Sequence, residues 1–254
     1  MGDGAGVLAR RAAAFARPPA VWRIDGSTLT PAQPEPLAPE PPLDARVAPL
    51  ADVIRSAGAD PVVEHGVLRG EILGLEVVRA VVDADGPVLE VGVGKHDRQA
   101  QGMVHGDEAT AAALARAVAM VEGHRRADAP HHPYNRLAPE RWLRARVVAE
   151  PALIGAAHLA PAPSPVEVDD LREPAPAPAA GVDLEGKPLL AVFSTGVDVD
   201  LVPAAVDALL ADGRSPRLVI VVPERDDHPY LRPLAEALRE PADVVTVPDD
   251  WRRP

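Results

Sequence analysis

The sequence predicts a two-part chain of mixed class: an α+β domain over residues 46–158, then a small α/β layer of Rossmann-like βαβαβ type over residues 185–254. Three observations carry this reading. After residue 185, the short apolar runs "PLLAVF", "RLVIVV" and "DVVTV" alternate with two amphipathic stretches, the pattern of buried parallel strands joined by helices. Before residue 158 the order is instead helix, strands in a hairpin, helix, helix. Proline-rich stretches precede the first part and separate it from the second.

Taken in order, "MGDGAGVLARRAAAFARPPAVW" lacks a long uninterrupted apolar segment and reads as a short helix or arm. With "TPAQPEPLAPEPPLD" (30–44), an extended linker of polyproline II character, it makes a leading segment over residues 1–45. "ARVAPLADVIRSAGA" has helical spacing. "VVEHGVLRGEILGLEVVRAVV" reads as one or two strands with a break at Gly70, and Asp85-Gly86 marks a tight turn before the partner strand "PVLEVGVG". From the N-cap candidate Asp107, "DEATAAALARAVAMVEGHRR" is helical and ends in basic residues, which suit a helix C-terminus. "PHHPYNRLAP" reads as a loop, and Pro139 opens the helix "PERWLRARVVAEPALIGA". Residues 159–184, rich in Pro and Ala, read as a second linker. The final part supplies the helices "DLVPAAVDALLADG" and "HPYLRPLAEALRE" between its apolar runs.

Composition narrows the function. Of 254 residues, 47% are hydrophobic but only 3% aromatic, so the core is built from Ala, Val and Leu. Arg dominates over Lys, which occurs only at Lys95 and Lys187, a bias expected of a GC-rich bacterial coding sequence. There is no cysteine, hence no disulfide, thiolate ligand or thiol nucleophile. No stretch reaches the roughly 18 apolar residues of a membrane span; the expectation is a cytoplasmic protein with no membrane partner. A net charge of −12 argues against broad, non-specific duplex binding. Residues 116–146 run against that balance, with seven Arg against Glu122, Asp128 and Glu140 and with His124, His131 and His132 nearby. A polyanion such as DNA or RNA could dock there, or the arginines could simply line a solvated helix face.

The strand "LEVGVGKHDR" (89–98) carries the first candidate site. Glu76 and Glu90 flank the Asp85-Gly86 turn, and one sheet face can hold both if the register cooperates. Two carboxylates from adjacent strands can converge on a Mg²⁺ or Mn²⁺, with a lysine beside the attacking water. Lys95, at the strand's end, has the compact ammonium suited to that place, and His96, Asp97 and His105 are further ligand candidates. The bland alternative is a strand with a Glu on its solvent face, and glycines at 92 and 94 that admit a neighbouring helix.

Over about residues 46–125, "GLEVVRAVVDADGPVLEVGVGKHDR" and its flanking helices resemble the core of the PD-(D/E)XK nuclease superfamily, the RecB-like and restriction-endonuclease-like fold. The matching positions are Glu76 for the first acid and Glu90 for the second, with Glu64 or Glu71 as a further upstream acid. Glu stands where Asp is usual, and the family's lysine position, two after Glu90, is Gly92, leaving Lys95 to stand in. The resemblance implies a restriction-endonuclease-like first domain and a divalent-metal-dependent nucleic-acid phosphodiesterase, or a relative that binds without cutting. Glu76 and Glu90 would hold the metal, Lys95 would assist the water, and Arg125, Arg126, Arg141 and Arg144 would meet phosphate.

The second candidate lies in the loops after the apolar runs, "STGVDVD", "PERDDHP" and "PDDW", where parallel sheets collect function. They hold no dinucleotide or P-loop fingerprint and no G-x-S-x-G elbow. Their acids, Asp198, Asp200, Glu224, Asp226, Asp227, Asp249 and Asp250, accompany Ser194, Thr195 and His228. They would serve a small-molecule or nucleotide enzyme, or they are helix N-caps, with Asp200 and Asp227 each ahead of a helix. A non-catalytic interaction or scaffold protein completes the alternatives.

Overall fold

A computed structural model describes residues 4–94, 107–126, 128–129, 132–166 and 171–252. The described chain is mixed α/β, with three sheets and helices on the faces of the two larger ones. After helix α1 (Ala5–Ala12) come β1 (Trp22–Asp25) and β2 (Thr28–Pro31), then α2 (Leu50–Ser56). Strands β3 (Asp60–Glu64), β4 (Val67–Ile72), β5 (Leu75–Val82) and β6 (Pro87–Val91) form an antiparallel sheet in sequential order. Helices α3 (Asp107–His124) and α4 (Pro139–Ala149) follow, and then β7 (Ala156–Pro161), β8 (Ala177–Asp183) and β9 (Pro188–Phe193). The chain ends with α5 (Leu201–Asp212), β10 (Arg217–Pro223), α6 (Leu231–Glu236) and β11 (Asp243–Val247).

The four-stranded sheet has one more strand than the hairpin reading allows. Its turns fall at His65-Gly66 (φ 54° and 69°) and Leu73-Gly74 (φ 47° and 75°), two-residue connections with both φ positive, as primed hairpin turns require. Gly70, read as a break, lies inside β4. It is glycine because an added Cβ would sit 2.5 Å from Val78 Cγ1 and 2.7 Å from Ile54 Cγ2. Opposite it, Gly70 pairs with Val78 and Glu71 with Glu76, which leaves Val77 as the extra residue of a β-bulge. The bulge reverses the side-chain alternation, so Val77 and Val78 are both buried. It also brings Glu76 and Arg79 to one face.

The sheet is therefore two-sided. Leu68, Ile72, Leu75, Val78, Ala80 and Val91 pack with Ile54 of α2 and Leu114, Val118 and Val121 of α3. The other face carries Glu64, Arg69, Glu71 and Glu76, all buried, and α4 supplies their partners. At the β4–β5 turn the chain touches α4 directly: a Cβ on Gly74 would lie 2.3 Å from the Arg141 carbonyl carbon and oxygen. Gly74→Ala, strained by its positive φ as well, is expected to destabilise the protein by about 2 kcal/mol or more in urea titration.

The second large sheet has the order β11-β10-β9-β8-β7, with β9, β10 and β11 parallel and β7 and β8 antiparallel. The three apolar runs thus form the parallel strands that their pattern predicts. Residues 159–184 are not simply a linker: they contribute the end of β7 and all of β8. The run "APAAGVD" alternates small residues, and Ala177 and Ala179 lie in the core with Trp142, Leu143 and Val147 of α4. On the opposite face Leu190, Val192, Ile220 and Val222 pack against Val202, Ala205 and Val206 of α5 and Leu231 and Ala235 of α6. The leading arm is also anchored: Arg10 and Arg11 of α1 bond the buried Asp207 of α5 at 2.9 and 2.6 Å.

The β1–β2 hairpin, absent from the sequence reading although Asp25-Gly26 sits at its turn, pairs Trp22 with Pro31 and Ile24 with Leu29. Trp22, Ile24 and Leu29 are 52%, 73% and 61% exposed. Among the described residues, no helix is long and apolar enough to cross a membrane.

Candidate functional site

Glu76 and Glu90 are not arranged as an open metal pair. Glu76 is buried and bonded by Arg79 through Nε at 3.1 Å and Nη2 at 3.3 Å, with Arg69 Nε at 3.4 Å. Glu90 stands opposite Arg79 across the β5–β6 ladder and is exposed. The bulge puts the two acids on one face, but a shared cation would have to displace two guanidinium groups from Glu76. The residues therefore do not fit the divalent ion that the nuclease resemblance implies. Lys95, His96, Asp97 and His105 lie outside the described residues. Among the described residues, no group of three or more His, Asp or Glu is placed to hold a metal ion.

The phosphate-binding expectation for the arginines meets the same obstacle. Arg125, Arg141 and Arg144 are buried, and of the four only Arg126 is exposed. Arg125 donates to the carbonyls of Leu73, Tyr134, Leu137 and Ala138 at 2.8–3.0 Å and lies 4.6 Å from the Trp142 ring centroid. Arg141 bridges two acids, Glu64 at 2.5 Å and Glu71 at 3.0 Å. Arg144 bonds Glu71 at 2.9 Å. Glu64 also accepts from Arg69 at 3.1 Å and from the Ser164 amide at 3.1 Å. Burial works to raise the Glu64 pKa, yet Arg141, Arg144, Arg69 and the Ser164 amide together hold it below the usual carboxylate range. The cluster ties the four-stranded sheet to α4 and, through the Arg144 contact to the Pro178 carbonyl at 3.5 Å, to β8. This is an internal ion network whose charges face one another.

At the carboxyl ends of β9, β10 and β11 the arrangement is different. Pro139 starts α4 there, and Glu140 in its first turn projects into the loops of the parallel strands. Thr195 Oγ1 donates to Glu140 Oε1 at 3.1 Å. The Gly196 amide donates to Asp226 at 2.8 Å, and the Arg225 amide to Asp249 at 3.0 Å, so the three loops are laced together. Arg252 lies over the rings of Trp251 and Trp142, 4.4 and 5.4 Å from their centroids. Among the described residues Arg252 Nε and both indole N–H groups are buried without hydrogen-bond partners.

Electrostatics set Glu140 apart. Burial pushes its pKa up to about 7, with Asp198 adding to the rise and its own amide, the Thr195 hydroxyl and Arg141 opposing it. Burial also lifts Asp198 above the ordinary carboxylate range, although the Asp200 amide and the Ser194 hydroxyl donate to it. A carboxyl that exchanges its proton near neutral pH, at the carboxyl edge of a parallel sheet, is placed for general acid–base work.

Helix capping does not account for the loop acids. Asp200 occupies the N-cap of α5 but makes no side-chain cap bond, and α6 begins after Tyr230 rather than Asp227. Asp227 instead pairs with Arg232 at 2.8 Å. Sequence reasoning flagged Ser194, Thr195, Asp198, Asp226 and Asp249 here but passed over Glu140 and Arg252. An acid in a first turn reads as a partner of the helix dipole, and nothing local in the Arg-rich run "PERWLRARVVA" sets Glu140 apart.

Comparison of the chain with protein-family models, with curated proteins and with solved structures finds no match in any of the three.

Proposed function

We propose that the protein is a small-molecule acid–base enzyme working at the carboxyl ends of β9, β10 and β11. The observation that carries this reading is Glu140, buried, held by Thr195 and ionising at about 7. In this reading Glu140 gives or takes the proton, and Thr195 fixes the carboxyl so that its other oxygen meets the substrate. Arg252, stacked on Trp142 and Trp251, offers a guanidinium to a polar or anionic substituent. The lacing of the three loops by Asp226 and Asp249 keeps these groups in register, as pre-organised catalysis requires. The nuclease expectation is weaker on the same grounds, since Glu76, Arg141 and Arg144 are taken up by one another's charges.

The test uses the full chain with p-nitrophenyl acetate, p-nitrophenyl phosphate and p-nitrophenyl glycosides as probes. At least one is expected to turn over with a rate that depends on a single ionisation near neutral pH. Glu140→Gln should lower that rate by about 10²–10⁴-fold, the usual contribution of a positioned acid or base. Absence of turnover on every probe, or a variant with the wild-type rate and pH profile, overturns the proposal.

A further inference from the structure

A cavity of about 550 Å³ opens where the proline-rich arm crosses the body of the protein. Its volume is within the range of small-molecule sites. The arm supplies Leu37, Pro39, Glu40 and Pro41, the turn between β3 and β4 supplies His65, and the loop after β7 supplies Pro163, Ser164 and Pro165. Leu210 and Ala211, at the end of α5, complete it. The arm is seated closely: a Cβ on Gly66 of that turn would meet Pro41 Cβ and carbonyl oxygen at 3.0 Å.

Apart from the Leu37, Ala38 and Glu40 amides, the polar groups of this wall are mostly acceptors or already committed donors. Proline has no N–H, so four of the lining residues can offer a ligand only carbonyl acceptors. The Ser164 amide is committed to Glu64 at 3.1 Å and its hydroxyl to the Pro176 carbonyl at 3.0 Å. The His65 amide is committed to Glu40 Oε1. The acceptors remain: the Glu40 carboxylate, about two-fifths exposed, meets no arginine or lysine among the described residues, and the His65 Nδ1 lies 3.8 Å from it. His65 Nε2 is buried with no hydrogen-bond partner. Around Glu40 the surface is apolar, with Leu37, Leu210 and the proline rings.

We propose that this cavity binds a small organic cation: a protonated amine on an apolar body. The ammonium would donate to Glu40, and the apolar part would lie against Leu37, Leu210 and the prolines. The chain's net charge of −12 favours the approach of a cation. The cavity meets α5 at its C-terminal end, whereas the acid–base residues gather near its N-terminal end. A helix of 12 residues separates the two by about 18 Å, so this proposal stands or falls independently of the enzymatic one.

The experiment is a titration of the full chain with 2-phenylethylamine, 2-phenylethanol and phenylacetate, followed by calorimetry and by amide chemical-shift changes. The amine is expected to bind saturably with a Kd of about 1 mM or tighter, in line with its small size, and to shift the His65 and Leu210 amides. The alcohol should bind at least about tenfold more weakly and the carboxylate not at all. Glu40→Gln, which keeps the shape, should weaken the amine about tenfold, and Ala211→Trp, which fills the cavity, should abolish binding. No saturable amine binding by about 10 mM, equal binding of amine and alcohol, or an amine affinity untouched by both variants overturns the proposal.

Discussion

Arg144→Met is expected to destabilise the fold by about 3–5 kcal/mol, because it strands a buried acid. Glu71 is almost fully enclosed, with one oxygen bonded by Arg144 at 2.9 Å and the other by Arg141 at 3.0 Å. Removing one guanidinium leaves that oxygen without water or a donor, and Arg141, shared with Glu64, cannot serve all the sites at once. The methionine itself fits the space, so the loss measures the uncompensated charge rather than a cavity. A second change, Glu71→Met in the same chain, removes the stranded acid and should recover more than half of the loss, since a buried pair replaced by apolar side chains is often near neutral. Urea unfolding of wild type, both single variants and the double variant completes the cycle. A cost below about 1 kcal/mol for Arg144→Met would show that the arginine is not internal and would return it to the candidates for phosphate contact.

The same cluster explains what was legible in the sequence. The runs at 188–193, 217–223 and 243–247 are apolar on both faces because helices cover both faces of their sheet, so their local pattern suffices. β8 escaped because its Pro-Ala alternation has the composition of a linker, while its role depends on fitting small residues beneath α4. The charged residues were harder still. Arg141 and Arg144 look like a solvated basic helix face until β3 and β4, more than 60 residues earlier, bring Glu64 and Glu71 to them. The Glu76–Glu90 pairing was half legible: the Asp85-Gly86 turn does join β5 to β6, with Asp83 accepting from the Asp85 and Gly86 amides at 2.8 and 3.0 Å. The bulge at Val77 and the guanidinium groups of Arg69 and Arg79 depend on pairing with β4, which no local pattern reveals. Glu140 was illegible for the same reason, since its burial is made by loops more than 50 residues downstream.

Glu140→Gln is expected to stabilise the protein, and only above acid pH. In the unfolded chain this carboxyl titrates near 4.5 and in the fold near 7. Between these values the folded protein keeps a proton that the unfolded chain has released. The native state therefore binds more protons, and stability falls as pH rises through that window. Above it both states are ionised and the penalty is complete, about 3 kcal/mol for a displacement of this size at a site only 3% exposed. Glutamine keeps an oxygen for the Thr195 hydroxyl but has no charge to desolvate. The variant should thus match wild type near pH 4.5 and exceed it by about 3 kcal/mol at about pH 8, read as the difference between urea midpoints at constant m. A difference that does not change with pH would mean that the carboxyl ionises normally and would remove the physical basis for acid–base work at Glu140. A gain in stability on replacing an ionisable side chain is the mark of a group retained for chemistry at the expense of the fold. The expected loss of turnover and gain of stability in one variant would therefore distinguish a catalytic Glu140 from one that merely faces the α4 dipole.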